Sequence, residues 1–367
     1  MGSYLITRYD PMDLAELSRD EMEAAVATLG APKYHGRQIF HWIHARGVTS
    51  PDLMTDLGRP LRAQIADTCT ISSPAILARQ ISSDGTTKFL LGLGDGRHIE
   101  AVYIPDTPAE TFCISTQVGC AMGCTFCLTG RMGLVRHLTA GEIAGQVRVL
   151  AHATELAGTP FNIVLMGMGE PLHNYDATMK ALRMITDERG LGVHPRRITL
   201  STVGLVPALE RLAREPLMPN LAVSLHATTD EARTSLVPIN RKYSLAELIE
   251  VCRRFPLAKR RRITFEYVLL EGVNDTPDDA RRLAALVAGI KAKVNLLPLN
   301  AAPGVPYSRP DEARVNAFAK VLADRGITVS VRRSRGRDIR AACGQLIVEG
   351  ARPSAAQRLA GSIESRP

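Results

Sequence analysis

Three cysteines lie close together in the stretch QVGCAMGCTFCLTG, at Cys120, Cys124 and Cys127, with the spacing C-x3-C-x2-C. Thiolates grouped in this way bind zinc or an iron–sulfur cluster. A structural zinc site takes four protein ligands, and no second CxxC pair follows to complete one. Three thiolates can instead bind three irons of a [4Fe–4S] cluster, which leaves the fourth iron open to another ligand. We therefore expect a cluster at this loop, with structural zinc as the alternative.

A second set of residues falls where the predicted buried strands end. It comprises Gly169, Glu170, Ser201, Ser224, Leu225, His226 and Asn300. Because the carboxyl ends of parallel strands meet on one face of a barrel, we expect this set to converge with the cysteine loop. Taken singly, GMGEP is typical of a tight turn, and a lone histidine is more often a core residue than a ligand.

Two further cysteines stand apart from the loop. Cys113 lies on a predicted strand in TFCISTQVGC, where the ordinary interpretation is a buried apolar cysteine. Cys343 lies in SRGRDIRAACGQL, a predicted loop rich in arginine and glycine. Neighbouring arginines favour the nucleophilic thiolate, so we expect Cys343 to be reactive. Cys69 and Cys252 are interpreted as structural.

The elements that must position these residues form a repeated pattern. From residue 110 onward, six buried strands alternate with amphipathic helices, which predicts an α/β fold with a parallel sheet. Six units favour a partial (β/α)6 barrel, with an open doubly wound sheet as the alternative. We predict a small helical N-terminal domain over residues 1–75, an antiparallel β extension over 76–106, the barrel with its C-terminal loop over 107–345, and a mobile tail over 346–367.

Charge and composition narrow the possible partners. The 367 residues carry a net charge of +8, with basic clusters at 194–197, 259–262 and 331–340. Such clusters are typical of a protein that binds a polyanion such as nucleic acid, although an ordinary basic enzyme is the alternative. There is no run of 18 apolar residues and no apolar signal region near the N-terminus, so we expect a cytoplasmic protein.

With the cysteine spacing placed after the first strand of a six-unit barrel, the chain resembles the radical S-adenosylmethionine (SAM) enzymes. The resemblance implies that SAM chelates the open iron through its amino and carboxylate groups. It also implies that the strand-end set, from Gly169 to Asn300, contacts SAM.

A closer resemblance is carried by TFCISTQVGC, GMGEPL, RRITLSTVG, SLHA, VPIN and DIRAACGQL. Together these motifs resemble the bacterial family that methylates C2 of an adenine in 23S rRNA and of the adenosine 3′ of the anticodon in tRNA. The resemblance implies two SAM molecules, a methyl group carried on Cys343, a transient disulfide between Cys113 and Cys343, and Glu100 as the proton acceptor.

Two alternatives stay open at the level of sequence. A related antibiotic-resistance family methylates C8 of the same rRNA base, and the motifs do not separate the two carbons. A non-catalytic RNA-binding protein with a structural zinc is an alternative of a different class. An electron donor of flavodoxin type and a monomeric state are further expectations.

Overall fold

The computed structural model describes residues 11–105 and 109–348. Its N-terminal part is helical, with α1 at Arg19–Thr28, α2 at Tyr34–His44 and α3 at Arg59–Thr68. A short parallel pair, β1 at Met12–Asp13 and β2 at Cys69–Thr70, joins the two ends of this part. Helix α1 begins where the sequence predicts, because Ser18 and Glu21 form a capping box that satisfies backbone amides left free at the helix start.

An antiparallel meander follows, with β3 at Ala75–Ile81, β4 at Thr87–Gly92 and β5 at His98–Ile104. Strand β5 also pairs antiparallel with β6 at Thr111–Cys113. The predicted β extension is therefore continuous with the main sheet and not a separate layer.

The cysteine loop lies inside a separate hairpin. Strand β7 at Gln117–Cys120 pairs antiparallel with β8 at Gly133–His137, and helix α4 at Leu128–Met132 lies between them. The sequence predicts one strand over TFCISTQ, whereas β6 ends at Cys113. The chain turns after β6 because Thr116 donates its amide to the carbonyl of Met168, beyond the end of the neighbouring strand.

The remaining elements alternate between helices and strands. They are α5 at Ala140–Ala153, β9 at Asn162–Leu165, α6 at Tyr175–Thr186, β10 at Ile198–Thr202, α7 at Val206–Leu212, β11 at Asn220–Ser224, α8 at Asp230–Leu236, α9 at Leu245–Arg254, β12 at Ile263–Leu269, α10 at Pro277–Val287, β13 at Ala292–Pro298, α11 at Glu312–Ala323 and β14 at Val329–Val331.

The main sheet has ten strands in the order β14-β13-β12-β11-β10-β9-β6-β5-β4-β3. The run from β6 to β14 is parallel, as expected for successive strand–helix units. The predicted partial (β/α)6 barrel with an N-terminal helical part and an antiparallel extension is confirmed. The sheet is open because β14 and β3 are its two edges, and the parallel register places the carboxyl ends of β9 to β13 on one face.

Side chains alternate across each strand, which separates the core from the interior of the barrel. In β10, Ile198 and Leu200 are fully buried, whereas Thr199 and Ser201 line cavities on the interior side. The N-terminal part docks on α5 through Glu16, which accepts hydrogen bonds from the Thr139 hydroxyl and from the Gly141 amide at 2.8 Å. A carboxylate at a helix N-terminus also interacts favourably with the helix dipole.

The domain boundaries drawn from the sequence stay predictions. Of the predicted tail, residues 349–367 lie outside the described residues, as do residues 1–10 and 106–108. Within the described part of the chain, no helix is both long enough and apolar enough to cross a membrane.

Candidate active site

The hairpin of β7 and β8 fixes the cysteine loop. Cys120 is the last residue of β7, and Cys127 directly precedes α4. Between them the Cys127 amide donates to the carbonyl of Cys124 at 3.2 Å. Gly119 has a φ of +76°, and a Cβ there would come within 1.9 Å of the Gly133 carbonyl oxygen. Only glycine therefore permits this close pairing next to Cys120.

The three thiols share a buried environment and face one cavity. Burial raises the pKa of Cys120 to about 12 and raises the pKa values of Cys124 and Cys127 as well. Protonated thiols are weak ligands, so a metal must supply the positive charge that deprotonates them. Within the described residues, no three His, Cys, Asp or Glu side chains form a group that could hold one metal ion. Each thiol of a [4Fe–4S] site binds a different iron, so the three thiols of such a site do not converge on one metal ion.

The cavity next to the cysteines has a volume of about 970 Å³. The structure brings most of the predicted site together around it: Cys120, Cys124, Cys127, Gly169, Ser201, Ser224, His226, Asn300 and Cys343 all line it. Leu225 and Glu170 are not among its lining residues. Leu225 is fully buried beside β12, where its amide donates to the Glu266 carbonyl at 3.0 Å.

Glu170 supports the loop after β9 from behind the cavity. Its carboxylate accepts hydrogen bonds from the amides of Leu172 at 3.1 Å and Val203 at 2.9 Å. Burial raises the pKa of Glu170 to about 7 despite these bonds. Gly169 passes so close to Gln117 that a Cβ would come within 2.8 Å of its backbone nitrogen. Glycine at position 169 lets the backbone lie close to Gln117 beside the cavity, whereas the Glu170 side chain links the loop after β9 to the end of β10.

His226 is held as a neutral imidazole. Its Nδ1 accepts a hydrogen bond from the Val268 amide at 3.0 Å, so Nε2 carries the proton in the neutral ring. Burial, with a smaller effect from Arg233, lowers the pKa of His226 to about 3. The residue has a φ of +61°, a strained conformation held by the Asn274 amide group, which donates to the His226 carbonyl at 2.7 Å. The ring also packs edge-on against Phe126, with centroids 4.8 Å apart.

Arg233 is a residue of the site that sequence reasoning missed. It is fully buried, and its guanidinium donates to the carbonyls of Val203 and Leu225 and to the side chain of Asn240. These bonds fix the chain just beyond β10 and β11, where Ser201, Ser224 and His226 originate. In the sequence it looks like an ordinary surface residue of DEARTSL, and no local signal indicates its burial.

Cys113 and Cys343 line a second cavity of about 520 Å³, together with Asn300 and Arg332. Cys113 is buried on β6, and Cys343 is exposed on the C-terminal loop. The loop is held in place because the Leu128 amide donates to the Gly344 carbonyl at 2.8 Å. Cys343 lines both cavities, so it lies where the cluster site and the Cys113 site adjoin.

Glu100 lies on β5 in a third, open groove. It forms an ion pair with Lys88 at 2.9 Å and accepts a hydrogen bond from the Ile347 amide at 2.8 Å. It therefore contacts the C-terminal loop four residues beyond Cys343, but it lines neither cavity that contains that cysteine. Its role as a proton acceptor stays a prediction.

Comparison with known proteins shows which class of enzyme this chain resembles. Residues 114–284 match the Radical SAM superfamily, and residues 12–71 match the ribosomal RNA large subunit methyltransferase N-terminal domain. The crystal structure of a radical SAM methyltransferase from Sphaerobacter thermophilus has a TM-score of 0.88 and 48% sequence identity, covering 93% of this chain and 100% of that one. The fold and the site define a radical SAM enzyme, a class that uses a [4Fe–4S] cluster and SAM.

Curated relatives narrow the class to one family. The dual-specificity RNA methyltransferase RlmN of Geobacter sulfurreducens is 50% identical over 335 residues, covering 91% of this chain and 92% of that protein. RlmN of Syntrophobacter fumaroxidans is 47% identical over 340 residues, covering 93% of this chain and 99% of that protein. The chain belongs to the RlmN family of dual-specificity RNA methyltransferases.

The residues around the larger cavity fit the two groups that the superfamily implies. Three thiols of the cysteine loop line one side of it. Asn300 lines the cavity too, and its Oδ1 is buried with no hydrogen-bond partner among the described residues. A buried acceptor left unpaired is costly, and a bound ligand with N–H or O–H groups would satisfy it.

Proposed function

We propose that this protein is a radical SAM methyltransferase that methylates C2 of a specific adenosine in 23S rRNA and of the adenosine 3′ of the anticodon in tRNA. The observation that carries the proposal is the position of Cys343. It lines the cavity of the cysteine loop on one side and the Cys113 cavity on the other. A carrier that receives a methyl group at one site and is resolved by a second thiol at another needs this placement.

The cysteines are assigned roles that match their surroundings. Cys120, Cys124 and Cys127 hold one cluster per chain, and Cys343 carries the methyl group as S-methylcysteine. When bound, the cluster and SAM supply the methyl group and the one-electron chemistry that an unreactive ring carbon requires. Cys113 releases the product by forming a disulfide with Cys343.

Gly169, Ser201, Ser224, His226 and Asn300 contact SAM through the cavity that they line. Glu170 and Leu225 act from outside it, Glu170 by bracing the loop after β9 and Leu225 by its backbone. Glu100 is assigned as the proton acceptor, and its ion pair with Lys88 supports the carboxylate form that a base requires.

RNA binding is supported by the charge inside the open barrel. An open cavity of about 1740 Å³ extends along the interior face of the strands and is lined by hydroxyl and amide side chains. Its basic lining residues are Arg196, Arg197, Lys293, Arg332, Arg333 and Arg335, against two acidic ones, Asp84 and Glu266. This excess of positive charge suits phosphate groups of a folded RNA.

The electron donor, the cellular location and the oligomeric state are proposed from this chemistry. A flavodoxin-type protein is the proposed electron donor, because the cluster must be reduced before each turnover. The substrates are cytoplasmic RNAs, so we assign the enzyme to the cytoplasm, and a single site per chain is consistent with a monomer.

The test begins with anaerobic purification and analysis of iron and sulfide. Four irons per chain and release of 5′-deoxyadenosine on reduction with SAM are the expected results. The protein is then incubated with unmodified 23S rRNA fragments and tRNA transcripts, and nucleosides are resolved by mass spectrometry. We expect 2-methyladenosine from both. Formation of 8-methyladenosine would assign the enzyme to the other carbon, and a colourless protein that binds one zinc would refute the proposal.

A further inference from the structure

Arg332 lines the same cavity as the two cysteines that the proposed reaction uses. It directly follows β14, and its amide donates to the carbonyl of Leu296 at 2.9 Å, which continues the ladder of the sheet and fixes its backbone. Its side chain lines the cavity that contains Cys113 and Cys343, and it also lines the cavity of the cysteine loop. Arg332 also adds to the positive charge of the open barrel, but its place beside the two cysteines indicates a more specific role.

Three ionisable side chains lie near the guanidinium of Arg332. Cys343, Glu266 and Cys113 are its electrostatic partners, and together they raise its pKa despite burial. Glu266 is itself fixed, because the Asn295 amide group donates to its Oε2 at 2.8 Å. Arg335 is the other cationic residue that lines the smaller cavity.

Cys113 needs such a cation, because its surroundings otherwise disfavour the thiolate. Burial, with a smaller effect from the neighbouring Cys343, raises the pKa of the Cys113 thiol to about 12. Two groups oppose this effect: the charge of Arg332 and a hydrogen bond to the backbone of Met166. A thiol with such a pKa is a poor nucleophile at neutral pH unless a nearby positive charge stabilises the anion in the reacting complex.

We propose that Arg332 is the electrostatic partner of Cys113 in product release, a role that rests on the proposed function. In that step the Cys113 thiolate attacks the Cys343 sulfur of the Cys343–CH2–adenine thioether. The Sγ–Sγ bond forms and the Cys343 S–C bond breaks. Its electron pair goes to the methylene carbon, which takes a proton from water and becomes the methyl group. The two sulfurs are oxidised to the disulfide, and the carbon is reduced.

The test measures release of the covalent protein–RNA adduct in the full-length, cluster-loaded enzyme with SAM, dithionite and a tRNA transcript. Adduct is followed on denaturing gels from pH 6.5 to 9. Arg332→Gln should release RNA about tenfold more slowly at pH 7, since each unit of thiol pKa lowers the thiolate fraction about tenfold. Because the pKa of Cys113 lies above this pH range, both enzymes should release RNA faster as the pH rises, and the ratio of their rates should stay nearly constant. Arg332→Lys should restore most of the rate at pH 7.

Arg325→Gln is the matched control, because Arg325 is exposed, lies on the segment that leads into β14, and lines neither the Cys113 cavity nor the basic cavity of the barrel. It removes the same charge and should release RNA at the wild-type rate. Wild-type release by Arg332→Gln, or release by Arg332→Lys that is as slow as that by Arg332→Gln, would overturn the role of Arg332.

Two further measurements distinguish a failure of the role proposed for Arg332 from misfolding of the variant and from a failure of the proposed function. If Arg332→Gln loses its cluster, Glu266→Gln replaces it as the test. Removal of the competing negative charge should shift release to lower pH, and an unchanged profile would contradict the proposal. A covalent RNA adduct in Cys113→Ala would show that the proposed methyl transfer operates, whatever the Arg332 variants do. If Cys113→Ala cleaves SAM but forms no adduct, both the proposed function and the role of Arg332 are refuted.

Discussion

The guanidinium of Arg233 donates a hydrogen bond to the carbonyl oxygen of Val203 at 2.6 Å. The same side chain donates to the carbonyl of Leu225 at 3.1 Å, so one buried cation joins the carboxyl ends of β10 and β11. Burial lowers the pKa of Arg233 to about 10, which still leaves it charged at neutral pH. The carbonyl oxygens take the place of a counter-ion, since a buried charge must be compensated by hydrogen bonds.

We expect Arg233→Lys to weaken the site as well as the fold. A lysine cannot form the same fork of hydrogen bonds, so at least one buried carbonyl is left unpaired, at a cost of about 1–3 kcal/mol. Chemical unfolding and SAM affinity measure the two effects. Arg241→Lys is the control on an exposed arginine nearby and should change the free energy of unfolding by less than about 0.5 kcal/mol. Equal effects of the two variants would contradict this account of Arg233.

Removal of one cluster ligand should remove the cluster. Cys124→Ala leaves two of the three thiols of the cysteine loop, so we expect the protein to purify with little iron and without absorbance in the visible range. The matched control is Cys252→Ala, because Cys252 is also buried but lies on α9. It should keep its iron. Full iron content in Cys124→Ala would show that the three cysteines do not form the site.

Replacement of Cys343 and replacement of Cys113 should stop turnover at two different stages. Cys343→Ala should form neither 2-methyladenosine nor a covalent RNA adduct, because the methyl carrier is missing. Cys113→Ala should form the adduct and fail to release it. Denaturing gels and nucleoside mass spectrometry distinguish the two, with Cys69→Ala as the control away from both cavities. An active Cys343→Ala enzyme would eliminate the carrier role.

Acidification should destabilise the N-terminal part through His44. Burial and the nearby Arg148 lower the pKa of His44 from 6.5 to about 3, and its Nε2 has no partner among the described residues. The unfolded chain therefore binds a proton first as the pH falls below about 6.5, and the stability that the neutral ring contributes is lost progressively toward pH 3.

His44→Phe tests this, because phenylalanine retains an aromatic ring beside Phe40, 4.4 Å from the present imidazole. Between pH 7.5 and 5, the wild-type protein should lose on the order of 2 kcal/mol more unfolding free energy than the variant does. The comparison uses urea unfolding at each pH. Parallel losses in both proteins would show that His44 does not govern the acid sensitivity.

Local rules predict much of this fold from the sequence. Thr139 with Glu142 and Ser244 with Glu247 form capping boxes, and helices begin at both positions. These signals succeed because their hydrogen bonds join residues three apart. The hairpin around the cysteines is different, since β7 pairs with a strand thirteen residues further along, and its close approach at Gly119 depends on where Gly133 lies.

Side-chain direction was the harder part of the site to predict. The sequence places Glu170 after β9, yet only the packed structure shows that its carboxylate turns away from the cavity toward the Val203 amide. Arg233 has no local signal of burial, because its hydrogen-bond partners lie on strand ends that tertiary packing brings together. Both cases depend on contacts between residues distant in the sequence.

The segment that bears Cys343 is anchored at both ends. Before the cysteine, Asp338 accepts from the Ser82 hydroxyl at 2.5 Å, and the Gly336 amide donates to Asp84 at 3.0 Å. After it, the Leu346 carbonyl accepts from the Thr129 hydroxyl at 2.6 Å. These hydrogen bonds restrict the backbone on both sides of Cys343. The nucleotide must therefore make the long movement, and the rate of a turnover would follow the unstacking of the adenine from its RNA.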